Sequence, residues 1–219
     1  MLPQILDLLF PRKSLRGGEG EWVTQRERMQ LESFPVVEDA MQLRAQGIRH
    51  LDRLVAASNY RRCPLLKNAI WIFKFRRIPS LGEELGKMMI ASLKSTACRP
   101  STGLRVTCSV LIPVPLHWTR RFWRGFNQSE ILARIISAHC HIPVADALRR
   151  IRPTGFQSHR TRAKRLVALE GAFRASGSIP LRCILIDDIA TTGATLDACA
   201  AALKEAGAVW VEGWAVARG

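Results

Sequence analysis

The sequence predicts an α/β protein: a mostly parallel sheet with helices on both faces, preceded by a small helical N-terminal region. Three observations predict it. Strand-like apolar runs alternate with helical patterns over residues 106–217. Cys183 to Ile186 is apolar at every position, as a strand buried on both faces requires. The stretch ILIDDIATTGATL, residues 184–196, reads as a buried strand, a Gly-containing turn and the start of a helix. In parallel sheets that joint lies at the carboxyl edge, where ligands bind.

Residues 1–58 are weakly patterned and form the expected N-terminal region; the main domain is expected over 59–219. Gly17, Gly18 and Gly20 mark a loop. Glu27 to Leu54 has helical composition broken at Pro35 and Gly47, which predicts short helices. From Pro64, the residues Leu65, Leu66, Ala69, Ile70, Ile72 and Phe73 share a helical face. Lys74, in the run FKF, reads there as a lysine whose stem lies along apolar surface. Pro79-Ser80 opens a second helix carrying Leu81, Leu85, Met88, Met89 and Leu93, and residues 100–103 form a loop. Val106 to Pro113 reads as a buried strand closed by Pro113-Val114-Pro115. Trp118, Phe122 and Trp123 interleave with arginines. That pattern fits the apolar face of a helix, the reading preferred here, and also fits nucleic-acid surfaces.

Asn127 reads as an N-cap with Glu130 three residues on, and Ile131, Leu132, Ile135 and Ile136 as the buried stripe that follows. A strand is expected near Val144 to Leu148. Arg149 to Arg165 carries seven basic residues and no acidic one; its middle is expected to be a mobile loop leading into a helix. Phe173 begins a short strand. Leu196 to Ala206 is a helix ended by Gly207, and Val209 to Val216 is the closing strand.

The chain has 219 residues, enough for one α/β domain with a sizeable core. It carries 33 basic and 18 acidic residues, a net charge of +15. That balance favours phosphate-bearing partners, and is also what a solvated basic face produces. No apolar run approaches the roughly 18 residues of a spanning helix, and Met1 to Phe10 lacks the basic start of a signal peptide. A cytoplasmic protein with no membrane insertion is expected. The cysteines are Cys63, Cys98, Cys108, Cys140, Cys183 and Cys199. None form a CxxC pair, so no zinc is expected. Cys183 and Cys199 sit in apolar patterns as small buried hydrophobes. In His139-Cys140-His141, sequence neighbours cannot all face one metal.

Asp187 and Asp188 are expected at the tip of the Cys183–Ile186 strand. The turn after them, Ala190, Thr191, Thr192, Gly193, Ala194 and Thr195, supplies inward amides, hydroxyls and a helix N-terminus, which together cradle a phosphate. Carboxylates repel phosphate but accept hydrogen bonds from hydroxyls or attract a cation. A ligand with vicinal hydroxyls near a terminal phosphate satisfies both halves, and ribose 5-phosphate is one. A Walker-type ATPase is disfavoured because no GxxxxGK[ST] occurs in the chain.

ILIDDIATTGATL resembles the 5-phosphoribosyl 1-pyrophosphate (PRPP) motif of type I phosphoribosyltransferases. LDLLFPRKS from Leu6, LKNAIWIFKFRR from Leu66, LIPVPLHWTRRFWRGFNQSEILA from Leu111 and RAKRLVALEGAF from Arg162 narrow the resemblance to the ComF/GntX family of competence-associated phosphoribosyltransferase-like proteins. The resemblance implies a type I phosphoribosyltransferase fold over 59–219. It also implies PRPP or a related sugar phosphate as ligand, with Mg²⁺ carried by the ligand and no metal ligand from the protein. Asp187 and Asp188 would be catalytic, and residues 190–195 would hold the 5′-phosphate. Val114, Pro115 and Leu116 fall where such enzymes meet pyrophosphate; Arg124 could meet the same anion, or only solvate the surface. Arg160 and Arg165 are hood candidates, or simply part of an exposed basic loop. Partners implied by the family are single-stranded DNA and a competence helicase. Two departures stand out: no cysteine precedes Cys63, where relatives carry a zinc ribbon, and Ala168 replaces a family asparagine. Three functions stay open: phosphoribosyl transfer to an unknown acceptor, a non-catalytic single-stranded-DNA adaptor, and a PRPP or nucleotide sensor.

Overall fold

The computed structural model describes residues 14–18, 22–31, 34–76, 78, 80–95, 109–152 and 168–219. Its main sheet has the order β1-β2-β7-β6-β3. The strands are β1 (Val36–Asp39), β2 (Arg53–Asn59), β3 (Ser109–Pro113), β6 (Arg182–Ala190) and β7 (Trp210–Arg218). β2, β7, β6 and β3 run parallel, and β1 closes one edge antiparallel to β2. Beyond β3, Leu111 and Val144 form a single parallel bridge. A separate antiparallel pair joins β4 (Leu148–Arg150) to β5 (Phe173–Ala175).

Alternation along the strands builds two cores. Leu111, Ile184, Ile186, Trp214 and Val216 face one side, against α3 (Pro64–Phe75), α4 (Leu81–Ser95) and α6 (Gln128–Cys140). Ile112, Cys183, Leu185, Val211 and Ala215 face the other, against α2 (Ala40–Ala45) and α7 (Ala194–Glu205). Both faces of the sheet are therefore covered, which is why its strands read as near-continuous apolar runs. Two short helices also lie among the described residues, α1 (Gln25–Gln30) and α5 (Trp118–Arg124). α4 and α6 approach closely: a Cβ at Gly86 would stand 2.6 Å from Ile135 Cγ2.

This connectivity creates a switch point. From β3 the chain passes through α6 on one face and returns beyond the sheet edge at Val144. From β6 it passes through α7 on the opposite face to β7. The two crossovers diverge between the carboxyl ends of β3 and β6, and such a divergence leaves a crevice.

Several expectations are corrected. The N-terminal region supplies two strands of the main sheet as well as short helices, and the expected boundary at 58/59 falls inside β2. Helical composition misled there because tertiary pairing with β7 outweighs local propensity. The central strand runs on from Cys183–Ile186 to Ala190, because β7 continues to pair with it. Near 144–148, Val144 makes only the single bridge, and regular pairing begins at Leu148. Trp118, Phe122 and Trp123 lie on a helix but are 72%, 83% and 77% exposed. Their seven-residue helix sits outside both cores, so the apolar side chains face solvent. Asn127 caps α6 as expected, by accepting from the Ser129 amide, whereas Glu130 pairs with Arg134 at 2.5 Å instead of closing a capping box. Part of the segment expected as a strand from Val106, and the middle of the basic stretch, lie outside the described residues.

Candidate functional site

The acid pair sits where β6 outruns β3. Pairing with β3 ends at Pro113–Ile186, while pairing with β7 continues through Asp187–Ala215 and Ala190–Arg218. From Asp187 onward β6 is therefore bonded on one side only. Asp187 Oδ1 accepts from Ser129 Oγ at 3.2 Å and from the Asp188 amide at 2.9 Å. Among the described residues Oδ2 has no hydrogen-bond partner, so one carboxylate oxygen is clamped and the other is open. Burial and the neighbouring Asp188 charge push the Asp187 carboxyl up to about 7, against the pull of Lys74 and of the two hydrogen bonds.

Asp188 turns to the other face, as the next residue of a strand must. It is 6% exposed, and its Oδ1 lies 2.8 Å from Lys74 Nζ on α3. The sequence reading of Lys74 is thus corrected: its head group is drawn into the site by a carboxylate. The signal was present, since Lys74 interrupts a face whose neighbours Ile70 and Phe73 are fully buried.

Asp187, Ile189 and residues 190–196 line a small, open recess. This brings Asp187 together with all six expected cradle residues, Ala190 to Thr195. Asp188 does not line it. Gly193 is the N-cap of α7, at φ 77°, and no side chain caps that helix. The Ala194 amide reaches Thr192 Oγ1 at 3.3 Å. The first-turn amides of an uncapped helix end are anion donors.

The loop is fixed from behind by residues that motif reading missed. Buried Arg218 donates to the Ala190 carbonyl at 2.9 Å and to that of Thr191, and pairs with Glu38 at 2.6 Å. Asp197 accepts from the amides of Arg49 at 3.0 Å, His50 at 2.6 Å and Leu51 at 3.1 Å. That holds the 48–51 loop on α7 and sets Ile48 against Gly193, where a Cβ would overlap Ile48 Cδ1. Gly193 is thus required by its positive φ and by this close approach. The sequence trace of these anchors is slight: a charge at the end of a mostly apolar strand, Arg218, and one early in an Ala-rich helix, Asp197.

At the end of β3 the expected pyrophosphate residues differ in what they offer. The Val114 amide is spent on the Ile186 carbonyl at 3.0 Å, so Val114 drops out as a donor. Pro115 has no amide hydrogen. Among the described residues no partner takes the Leu116 amide. Asn127 ties the start of α6 to this turn, donating to the Val114 carbonyl at 3.1 Å. Arg124 lies over the Phe75 ring at 5.3 Å and donates to Gln128 Oε1 at 3.1 Å. The buried Gln128 Nε2 has no partner among the described residues. Arg160 and Arg165 lie outside the described residues. Among those described, no three His, Cys, Asp or Glu residues converge to hold a metal ion, and no helix is long and apolar enough to cross a membrane.

No protein-family model matches the chain. Its sequence is 34% identical over 170 residues to the DNA utilization protein YhgH of Escherichia coli (strain K12), covering 76% of this chain and 72% of that protein. It is 33% identical over 113 residues to Competence protein F of Haemophilus influenzae, 49% of either chain. It is 38% identical over 101 residues to Competence protein ComFC of Bacillus subtilis, 45% of this chain and 39% of that one. With a relative of this identity matched over most of both chains, the protein belongs to the ComF family of competence- and DNA-utilisation-associated proteins.

Proposed function

We propose that the protein binds PRPP, or a closely related ribose 5-phosphate compound, at the carboxyl edge of a type I phosphoribosyltransferase-like sheet, and transfers the phosphoribosyl group. One observation carries this reading: an open carboxylate oxygen on Asp187 and the uncapped, Gly-led start of α7 face the same recess. A phosphate suits the second feature and repels the first; a ribose hydroxyl suits the first. Residues 190–195 hold the 5′-phosphate, and Asp187 accepts from the ring hydroxyls.

Transfer breaks the bond between ribose C1 and pyrophosphate, and a bond from C1 to the acceptor forms. Positive charge grows on the ring and negative charge on the leaving pyrophosphate. Asp187, accepting from the ring hydroxyls, would offset the growing ring charge, while Leu116 N–H, Arg124 and the start of α6 are the candidates to meet the leaving group. Arg160 and Arg165 remain hood candidates. Mg²⁺ carried in on the ligand would supply charge neutralisation to the leaving pyrophosphate, with no metal ligand from the protein.

The test is pyrophosphate release from PRPP and Mg²⁺ across a panel of purine and pyrimidine bases, with the D187N/D188N double variant as control. Release that the double variant abolishes supports transfer. Thermal stabilisation by PRPP without release leaves binding and removes catalysis, the sensor reading. Absence of both release and stabilisation removes the proposal.

A second reading rests on the solvent-facing aromatics. Trp118, Phe122 and Trp123 on α5, with Phe75 on α3 beneath Arg124, make an exposed aromatic and basic rim on a chain of net charge +15. Such surfaces stack the bases of single strands, and relatives are named for DNA utilisation and competence. Oligothymidine binding that falls steeply with salt and weakens in W118A/W123A supports this reading. Binding that is unchanged in that variant ends it.

A further inference from the structure

We infer that Lys74 is a positioning residue of the acid pair: by holding Asp188 through a direct ion pair, it sets the charge that Asp187 presents to the recess. The inference rests on the sugar-phosphate reading for its purpose, but on geometry for its content. Lys74 Nζ lies 2.8 Å from Asp188 Oδ1, and the two side chains are 18% and 9% exposed. Asp188 in turn donates its amide to Asp187 Oδ1 at 2.9 Å. One ammonium is thus coupled to one carboxylate directly and to its neighbour through the shared backbone.

Two adjacent carboxylates in a partly buried crevice repel each other, and one of them takes up a proton unless a cation offsets the charge. Lys74 is that cation. With it, the pair carries one net negative charge instead of two. Asp187 can then give up its proton near pH 7 and accept from a ribose hydroxyl, instead of holding that proton into the alkaline range. The charged and titratable groups facing Asp187 come from four elements: Asp188 on β6, Lys74 on α3, Cys199 on α7 and, beyond the thiol, Arg150 on β4. Ser129 on α6 adds a neutral donor. Of the two cations, Lys74 acts on Asp187 directly, whereas Arg150 acts on Cys199, whose thiol burial keeps protonated well above its ordinary range.

The plain alternative is an ion pair that only fastens the last turn of α3 to the sheet. Lysine suits that position on helix-dipole grounds alone. The two roles differ in what they do to Asp187, and that difference is measurable without any ligand. Carboxyl ¹³C shifts of aspartate-labelled protein are followed from pH 4 to 9 in wild type, K74R, K74M and K74Q, with the Asp187 step assigned by its loss in D187N. K74R should leave the step within about half a pH unit. K74M and K74Q should move it upward by about one to three units. K74Q, which keeps a polar head for Asp188, is read should K74M not fold. Calorimetric affinity for ribose 5-phosphate should then fall about fivefold or more at pH 7 in the uncharged variants, with the deficit narrowing towards pH 9.

An unmoved Asp187 step in either uncharged variant overturns the inference, and so does an affinity loss of equal size at every pH. A moved step in a protein whose wild type ignores ribose 5-phosphate keeps Lys74 as the charge-setting partner and removes the sugar-phosphate reading instead.

Discussion

Replacing Asp187 by Asn should make the ligand-free protein more stable while destroying its site. Asn keeps the acceptor for Ser129 Oγ and the Asp188 amide, so the packing is unchanged and only the charge is lost. Folding pushes the Asp187 carboxyl from 3.8 up to about 7, chiefly by burial and secondly by Asp188. At about 1.4 kcal/mol per unit, that displacement sets a ceiling of about 4 kcal/mol on the penalty carried above pH 7. The open recess lets water reach Oδ2 and screens the charge, which brings the realised penalty to about 1–2 kcal/mol. Because the folded value is raised, the folded state binds the extra proton between about pH 4 and 7. Stability from this group is therefore full at low pH and lost as pH rises through that window. For a chain of this size each kcal/mol moves Tm by about 2–4 °C. Paired thermal melts should place D187N about 2–8 °C above wild type at pH 8, and level with it near pH 4. A D187N protein less stable than wild type at pH 8, or a gap of the same size at both pH values, would refute the reasoning.

Three further outcomes follow from the site's construction. G193A should cost about 2–5 kcal/mol in urea titrations, from left-handed strain at φ 77° and overlap with Ile48; a loss below about 1 kcal/mol contradicts that packing. R218M leaves the half-buried Glu38 without its ion-pair partner and frees the Ala190 and Thr191 carbonyls, so equilibrium unfolding should register a loss of about 3–5 kcal/mol. S129A removes the Oγ bond to Asp187, worth about 1.5–3 kcal/mol for a charged acceptor. It should therefore lower Tm at pH 8 by about 3–12 °C, with the deficit shrinking near pH 4 where the carboxyl is neutral; an unmoved melting curve at pH 8 contradicts the bond.

The order strand, acid pair, Thr-Thr-Gly-Ala-Thr and helix was legible because each part has a local cause. An apolar run, a positive-φ glycine and a helix start need no distant partner to be recognised. What stayed hidden depends on partners far along the chain. Lys74 meets Asp188 across 114 residues, and Arg218 meets Glu38 across 180. Neither pair has a fixed spacing to read. The strand β2 was missed for the same reason, since it pairs with β7 at the other end of the chain, and β1 is held in turn by β2. Trp118, Phe122 and Trp123 show the opposite limit. Their spacing announces a helix, but periodicity is silent on whether that helix finds a core or a solvent-facing rim.

Isothermal titration of the wild-type protein with PRPP and Mg²⁺, repeated with ribose 5-phosphate alone, tests the central claim most directly. The recess formed by Asp187 and residues 190–195 predicts one site per chain for either ligand, with binding lost in D187N and weakened in G193A. No heat with either phosphorylated pentose, or binding that D187N leaves intact, would contradict it.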